Sequence, residues 1–137
     1  MMKHQGRSIL KDSQSGQELV EFALVLPLLL LVVFGVLDLG RVFHSAITIT
    51  NAAREGARYA MLHPDDVMEI QNVTLAEAEN SGIDMSTSFV DVICLSDCSS
   101  GTPIRVTVEY NFTFLLIGFV FPDPNLVFVR SAEMMIP

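Results

Sequence analysis

The sequence predicts an α+β fold. A long N-terminal helix, its first half membrane-spanning and its second half amphipathic, packs on a small antiparallel sheet of about three strands, with one short extra helix. Three observations predict it. Residues 22–37 are uncharged and almost wholly apolar. Beyond them a narrow apolar seam keeps helical spacing to residue 60. Residues 104–114 alternate between apolar and polar, the period of a strand with one dry face.

The first helix begins with the apolar run. Its 16 residues span roughly 24 Å at the helical rise, against a hydrocarbon core of ~30 Å. Leu19 and Val20 before it, and Asp38 to Gly40 at its far interface, bring it to spanning length. The four consecutive leucines at 28–31 leave no polar face, which argues against a core helix of a soluble domain. Glu21 sits just inside the start of the run. A charge at mid-bilayer costs ~2.5–3.5 kcal/mol on insertion scales and less near the edge, so this carboxylate calls for a partner. Pro27 forfeits one backbone hydrogen bond and predicts a kink in the span.

Charge sets the orientation. The chain has 137 residues and a net charge of −8, room for one modest domain. Lys3, Arg7 and Lys11 face only Asp12 in the first sixteen residues, whereas the remainder carries five basic and fifteen acidic residues, a net of −10. Positive charge stays on the cytoplasmic side, which puts the N-terminus inside and residues from about 41 onward outside. So acidic a chain, without clustered Lys or Arg, is no nucleic-acid binder. Residues 1–15 are polar and basic and read as a leader outside the fold. Asp38-Leu39-Gly40-Arg41 is a poor signal-peptide cleavage site. The candidate cut lies before the apolar run, after Gly16, where it removes the basic leader and keeps the helix. Cys94 and Cys98 fall in the outer, oxidising compartment and read there as a disulfide pinning a turn; two free thiols are the alternative.

Past the span Leu39, Val42, Ala46, Ile49, Ala53, Gly56 and Ala60 recur at spacings of three and four, so one helix covers about 17–61. Asp38 with Arg41, and Glu55 with Arg58, stand three apart and can meet on its surface. Pro64 breaks it, and Asp65 is the candidate N-cap of a second helix over about 66–80, with Val67, Ile70, Val73, Leu75 and Ala78 as its apolar side. That helix ends at Asn80-Ser81-Gly82. Strands follow at 87–95, at 104–114 and at 126–135, separated by a turn at 96–103 and an apolar connection at 115–121 closed by Pro122-Asp123-Pro124. The dry face of the middle strand needs a cover, and the Ala/Gly seam of the long helix supplies one that allows close approach. His4, His44 and His63 are scattered and the carboxylates do not converge, so the sequence presents no catalytic constellation and implies no cofactor or metal.

Three blocks carry a family resemblance: G-Q-E-L-V-E-F-A-L-V-L-P-L-L-L-L at 16–31, D-L-G-R at 38–41 and N-A-A-R-E-G-A-R-Y-A at 51–60. The glycine with a glutamate five residues later and then an apolar run resembles the type IV pilin class. The three blocks together resemble the TadE-like pseudopilins, minor pilins of tight-adherence (Tad/Flp) pilus systems. The residue after Gly16 is Gln17, where the better-known type IV pilins have Phe.

The resemblance implies a prepilin-type leader at 1–16, cut by a prepilin peptidase between Gly16 and Gln17, a transmembrane segment at 17–40 and an extracytoplasmic pilin-like domain at 41–137. It implies a protein first held in the cytoplasmic membrane, with other pilins and the pilus assembly machinery as partners. It also supplies a partner for Glu21: the freed N-terminal amine of a neighbouring subunit, since opposite charges attract strongly in a low dielectric. The competing reading is an uncleaved, single-pass tether whose strands or 115–121 connection grip an envelope component.

Overall fold

The computed structural model describes residues 12–115, 118 and 125–137. Its elements run α1 (Asp12–Ala60), α2 (Val67–Asn80), β1 (Phe89–Cys94), β2 (Pro103–Thr113) and β3 (Asn125–Met135). The α+β class, the short second helix and the three-stranded antiparallel sheet all stand as the sequence predicts them. The chain divides into two compact units, Met1–Leu37 and Asp38–Pro137.

In the first unit, α1 starts at Asp12 rather than at 17. Residues 12–15, read as leader outside the fold, are helical; the rest of that leader, 1–11, lies outside the described residues. The physical reason is propagation. A helix nucleated in the apolar run extends at little cost per residue until a breaker stops it. None stands between Gly16 and Asp12. The helix also runs through Pro27 without ending there. Leu19, Phe22, Leu24, Leu28 and Val36 are all exposed, so large apolar side chains cover this stretch of helix on every side.

In the second unit, the remainder of α1 contributes Ile49, Ala52, Ala53, Gly56, Ala57 and Ala60 to the interior. The buried stripe is rotated from the seam read in the sequence. Leu39 is exposed, Val42 and Ala46 are half-buried, and Ala52 and Ala57 take inner positions. Asp38 is buried at the start of the stripe. Helix α2 is capped by Asp66, not Asp65; its carboxylate accepts from the Glu69 backbone N–H at 3.2 Å. Its inner face is Ile70, Thr74 and Ala78, four apart, while Val67 is exposed and Val73 and Leu75 are half-buried. Gly82, at φ 83, turns the chain out of α2, as L-residues with a Cβ rarely can.

The sheet order is β1-β2-β3, antiparallel throughout. Val90 pairs with Val108, Val106 with Ala132 and Ile104 with Met134, which lines one face with apolar residues from all three strands, while Phe89, Ile93, Val127 and Val129 are exposed on the other. Ile104, Val106, Val108 and Phe112 are buried there, and Glu109, Asn111 and Thr113 are exposed on the other face. Strand ends shift by one or two residues from the sequence reading, which is ordinary fraying of element boundaries. Of the apolar connection, residues 116, 117 and 119–124 lie outside the described residues.

The closest meeting of elements is at Gly56. A Cβ there would lie 2.0 Å from Thr74 Oγ1, and 3.2 Å from both Thr74 Cβ and Val106 Cγ1. Thr74 is fully buried and donates its hydroxyl to the Ile70 carbonyl at 2.7 Å, so it has no room to rotate freely. Gly56→Ala is therefore expected to destabilise the protein by about 1–3 kcal/mol, the usual cost of an overpacked core. Thr74→Ala added to that background removes the nearest atom and should recover part of the loss; thermal unfolding of the full chain in detergent reads both.

Candidate functional site

The residues that the sequence singles out fall into three groups along the chain. The first lies in the opening turns of α1. Gly16 is exposed, with no neighbour within 4 Å of a built Cβ. Gln17 and Glu21 stand four apart on one helix face, and Gln17 Nε2 points to Glu21 Oε1 at 3.4 Å, long for a hydrogen bond. Both side chains are exposed. Glu18, which the sequence reading passed over, is also exposed and three residues from Glu21, adding a second acid to the same short stretch.

The second group is Asp38 and Arg41. Arg41 Nη1 donates to Asp38 Oδ1 at 3.2 Å, as the spacing predicts, but the pair is not a surface pair. The Asp38 side chain is 0% exposed and that of Arg41 43%. Asp38 has interactions besides this one. The Arg41 guanidinium also lies 5.0 Å from the centroid of the Phe112 ring, near enough for a cation–π contact. Phe112 meets Phe114 and Phe128 edge-on, at 5.1 and 6.1 Å between centroids. One cation therefore ties the start of the buried stripe on α1 to the aromatic end of β2.

The third group is the Asn51 to Ala60 block. Its small residues, Ala52, Ala53, Gly56, Ala57 and Ala60, are the buried ones. Its charged residues face out, with Arg58 Nε donating to Glu55 Oε2 at 2.9 Å. That hydrogen bond, more than the charge alone, holds the Glu55 carboxyl below its ordinary value of 4.5. A depressed carboxyl stabilises the fold above its ordinary value and loses that contribution as pH falls below it. Both partners are largely solvated, so the contribution is small. Tyr59 stacks on His63 at 4.6 Å and closes the end of the helix.

Cys94 and Cys98 bring their sulfurs to bonding distance, with Cα atoms 5.3 Å apart. Beside them the Leu95 N–H donates to the Pro103 carbonyl, the Gly101 N–H to that of Ile136 and the Ile136 N–H to that of Thr102, so the turn is fastened to all three strands at one end of the sheet. Among the described residues no group of three or more His, Cys, Asp or Glu side chains could hold a metal ion.

The chain thus combines one helix of a length and composition able to cross a membrane, none of its apolar window buried, with a small α+β unit. Residues 16–58 match the model of the family described as TadE-like protein. The matched segment takes in Gly16, Gln17, Glu21, Asp38, Arg41, Gly56 and Arg58, and stops short of α2 and the sheet. No curated protein and no solved structure matches the chain.

Removing Arg41 strips a charged donor from a fully buried carboxylate. Arg41→Ala should cost about 1–3 kcal/mol, the scale of a charge-assisted hydrogen bond lost from a buried carboxylate that keeps its other interactions. Arg41→Lys, which keeps the charge but not the flat guanidinium over Phe112, should cost less. Comparison of the two melting temperatures checks the order.

Proposed function

We propose that this chain is a minor pilin, or pseudopilin, that acts in assembly of a Tad/Flp-type pilus for surface adhesion. In this reading a prepilin peptidase cuts between Gly16 and Gln17. The chain then sits in the cytoplasmic membrane as a single-pass protein, with its N-terminus inside and residues from about 41 outside. The leader is 1–16, the transmembrane segment 17–40 and the extracytoplasmic domain 41–137. Its partners are the peptidase, other pilins, the assembly machinery and the bilayer, and its role is structural rather than enzymatic.

The observation that carries this reading is the TadE-like match over residues 16–58, a segment that begins at Gly16 and takes in Glu21 and the exposed apolar run after it. The physics of Glu21 supports it. A carboxylate on a lipid-facing helix is costly alone and favourable beside an ammonium. Cleavage would create that ammonium at Gln17, and a neighbouring chain would bring it to Glu21. The basic leader, with Lys3, Arg7 and Lys11, supports the orientation. The envelope outside the cytoplasm also suits a bond between Cys94 and Cys98.

A second reading, the uncleaved membrane tether, draws on one observation: α1 runs unbroken from Asp12 across the Gly16–Gln17 bond. One experiment separates the two. The full chain is produced with and without a prepilin peptidase, and its intact mass and N-terminal sequence are read. A start at Gln17 only in the presence of the peptidase supports the pseudopilin; a retained leader in both overturns it. Glu21→Gln should leave cleavage largely intact while sharply reducing recovery of the chain with assembled pili; normal recovery would refute the pairing role of Glu21.

A further inference from the structure

The arginines of the second unit divide into two sets. Arg41 is paired with Asp38, Arg58 with Glu55 and Arg105 with Glu133. The other two, Arg54 and Arg130, have no carboxylate partner among the described residues; Arg130 donates to the Val129 carbonyl at 2.9 Å and lies 6.0 Å from the Phe128 ring. These two line the same open groove, of about 310 Å³, together with Phe43, Ile47 and the small or polar side chains between them on α1. Phe43 is 66% exposed and Ile47 62%. The register explains how Arg130 comes to be there. It pairs with Val108, so it occupies a position on the sheet's inner face, at the edge strand β3. A cation at such a place, beside large apolar side chains, suits an occupant that is both acidic and apolar.

The same chain carries a surface of that kind on another part of the unit. At the corner between α1 and α2, Leu62 is exposed and Met68, at 75%, is the most exposed large apolar side chain described. Asp65, Asp66 and Glu69 are exposed around them. Other carboxylates also stand beside exposed apolar side chains, as Glu109 does between Phe89 and Val129, but this corner sets three acids around two apolar side chains.

We infer that the Arg54/Arg130 groove of one copy receives the Leu62–Asp65–Met68 corner of a second copy of this chain. Asp65 and Glu69 meet the two arginines, and Met68 and Leu62 cover Phe43 and Ile47. The contact joins two different surfaces, so it is heterologous and leaves a free groove and a free corner at the two ends of every pair. Such a contact can repeat along a row of subunits. It rests on the extracytoplasmic unit alone and does not depend on cleavage at Gly16, so it can fail while the pseudopilin reading stands.

The test uses the full chain in membranes. One copy carries Ile47→Cys and another, distinguishable by size, carries Met68→Cys; the two are co-expressed and oxidised mildly. A disulfide-linked mixed dimer is expected. Arg54→Glu with Arg130→Glu in the first copy should reduce it about tenfold or more, since like charges then face each other. Asp65→Lys with Glu69→Lys in the second copy should restore it. All these positions are exposed, and unchanged melting temperatures show that folding is not at issue. Absence of the mixed dimer, a mixed dimer indifferent to charge reversal, or Ile47→Cys linking only to itself or to a different protein would each overturn the proposal.

Discussion

From Ala52 to Ala60 the buried positions of α1 carry nothing larger than a methyl group. Ala52, Ala53, Gly56, Ala57 and Ala60 are all buried, and at Gly56 even a methyl would collide with Thr74. These residues bury little apolar area themselves. Their value lies in the separation they permit, because dispersion contacts fade within an ångström of added distance. The larger side chains opposite, Ile70 on α2 and Ile104, Val106 and Val108 on β2, supply the buried area, each worth roughly 1.5–3 kcal/mol when removed from water. The small residues and the large ones are two halves of one contact, and neither would stabilise the fold without the other.

The same helix meets two environments, and its composition changes where the environment does. Up to Leu37 its large apolar side chains are exposed all round. From Asp38 onward the buried stripe is small or polar, and the exposed positions include Arg54 and Arg58. Asp38 opens the second regime. A carboxylate with no exposure is an expensive group to place inside a protein, and it is held by Arg41, whose other face is against Phe112. That arrangement ties the start of the buried stripe to an aromatic cluster supplied by the sheet.

Much of this was legible in the sequence, for reasons that differ by element. The middle strand stands out because its apolar residues fall on one face and its polar residues on the other, a pattern that depends only on local geometry. The long helix stands out because no breaker interrupts it before Pro64. Its inner face was read a little askew. Leu39 is apolar enough to suggest a core position, yet it is exposed, and the buried place beside it belongs to Asp38. Hydropathy assigns a carboxylate to the surface; its pairing with Arg41, and the nearness of Phe112 far along the chain to that arginine, belong to the fold and not to the local pattern. Thr74 was hidden in the same way by its neighbours Val73 and Leu75, and its role depends on Gly56 approaching from another element. The meeting of Arg54 with Arg130 depends on strand register, which no local pattern announces. At the N-terminus, the glycine and the glutamate were visible as spacing, and the matched family segment begins at that glycine.

Strand β3 pairs with the central strand over its full length, and Ile136, beyond its end, is buried and bonded back to the turn at Thr102. The sheet therefore lacks one of its three strands until β3 itself has been made. A domain of this design cannot close early, ahead of its own synthesis.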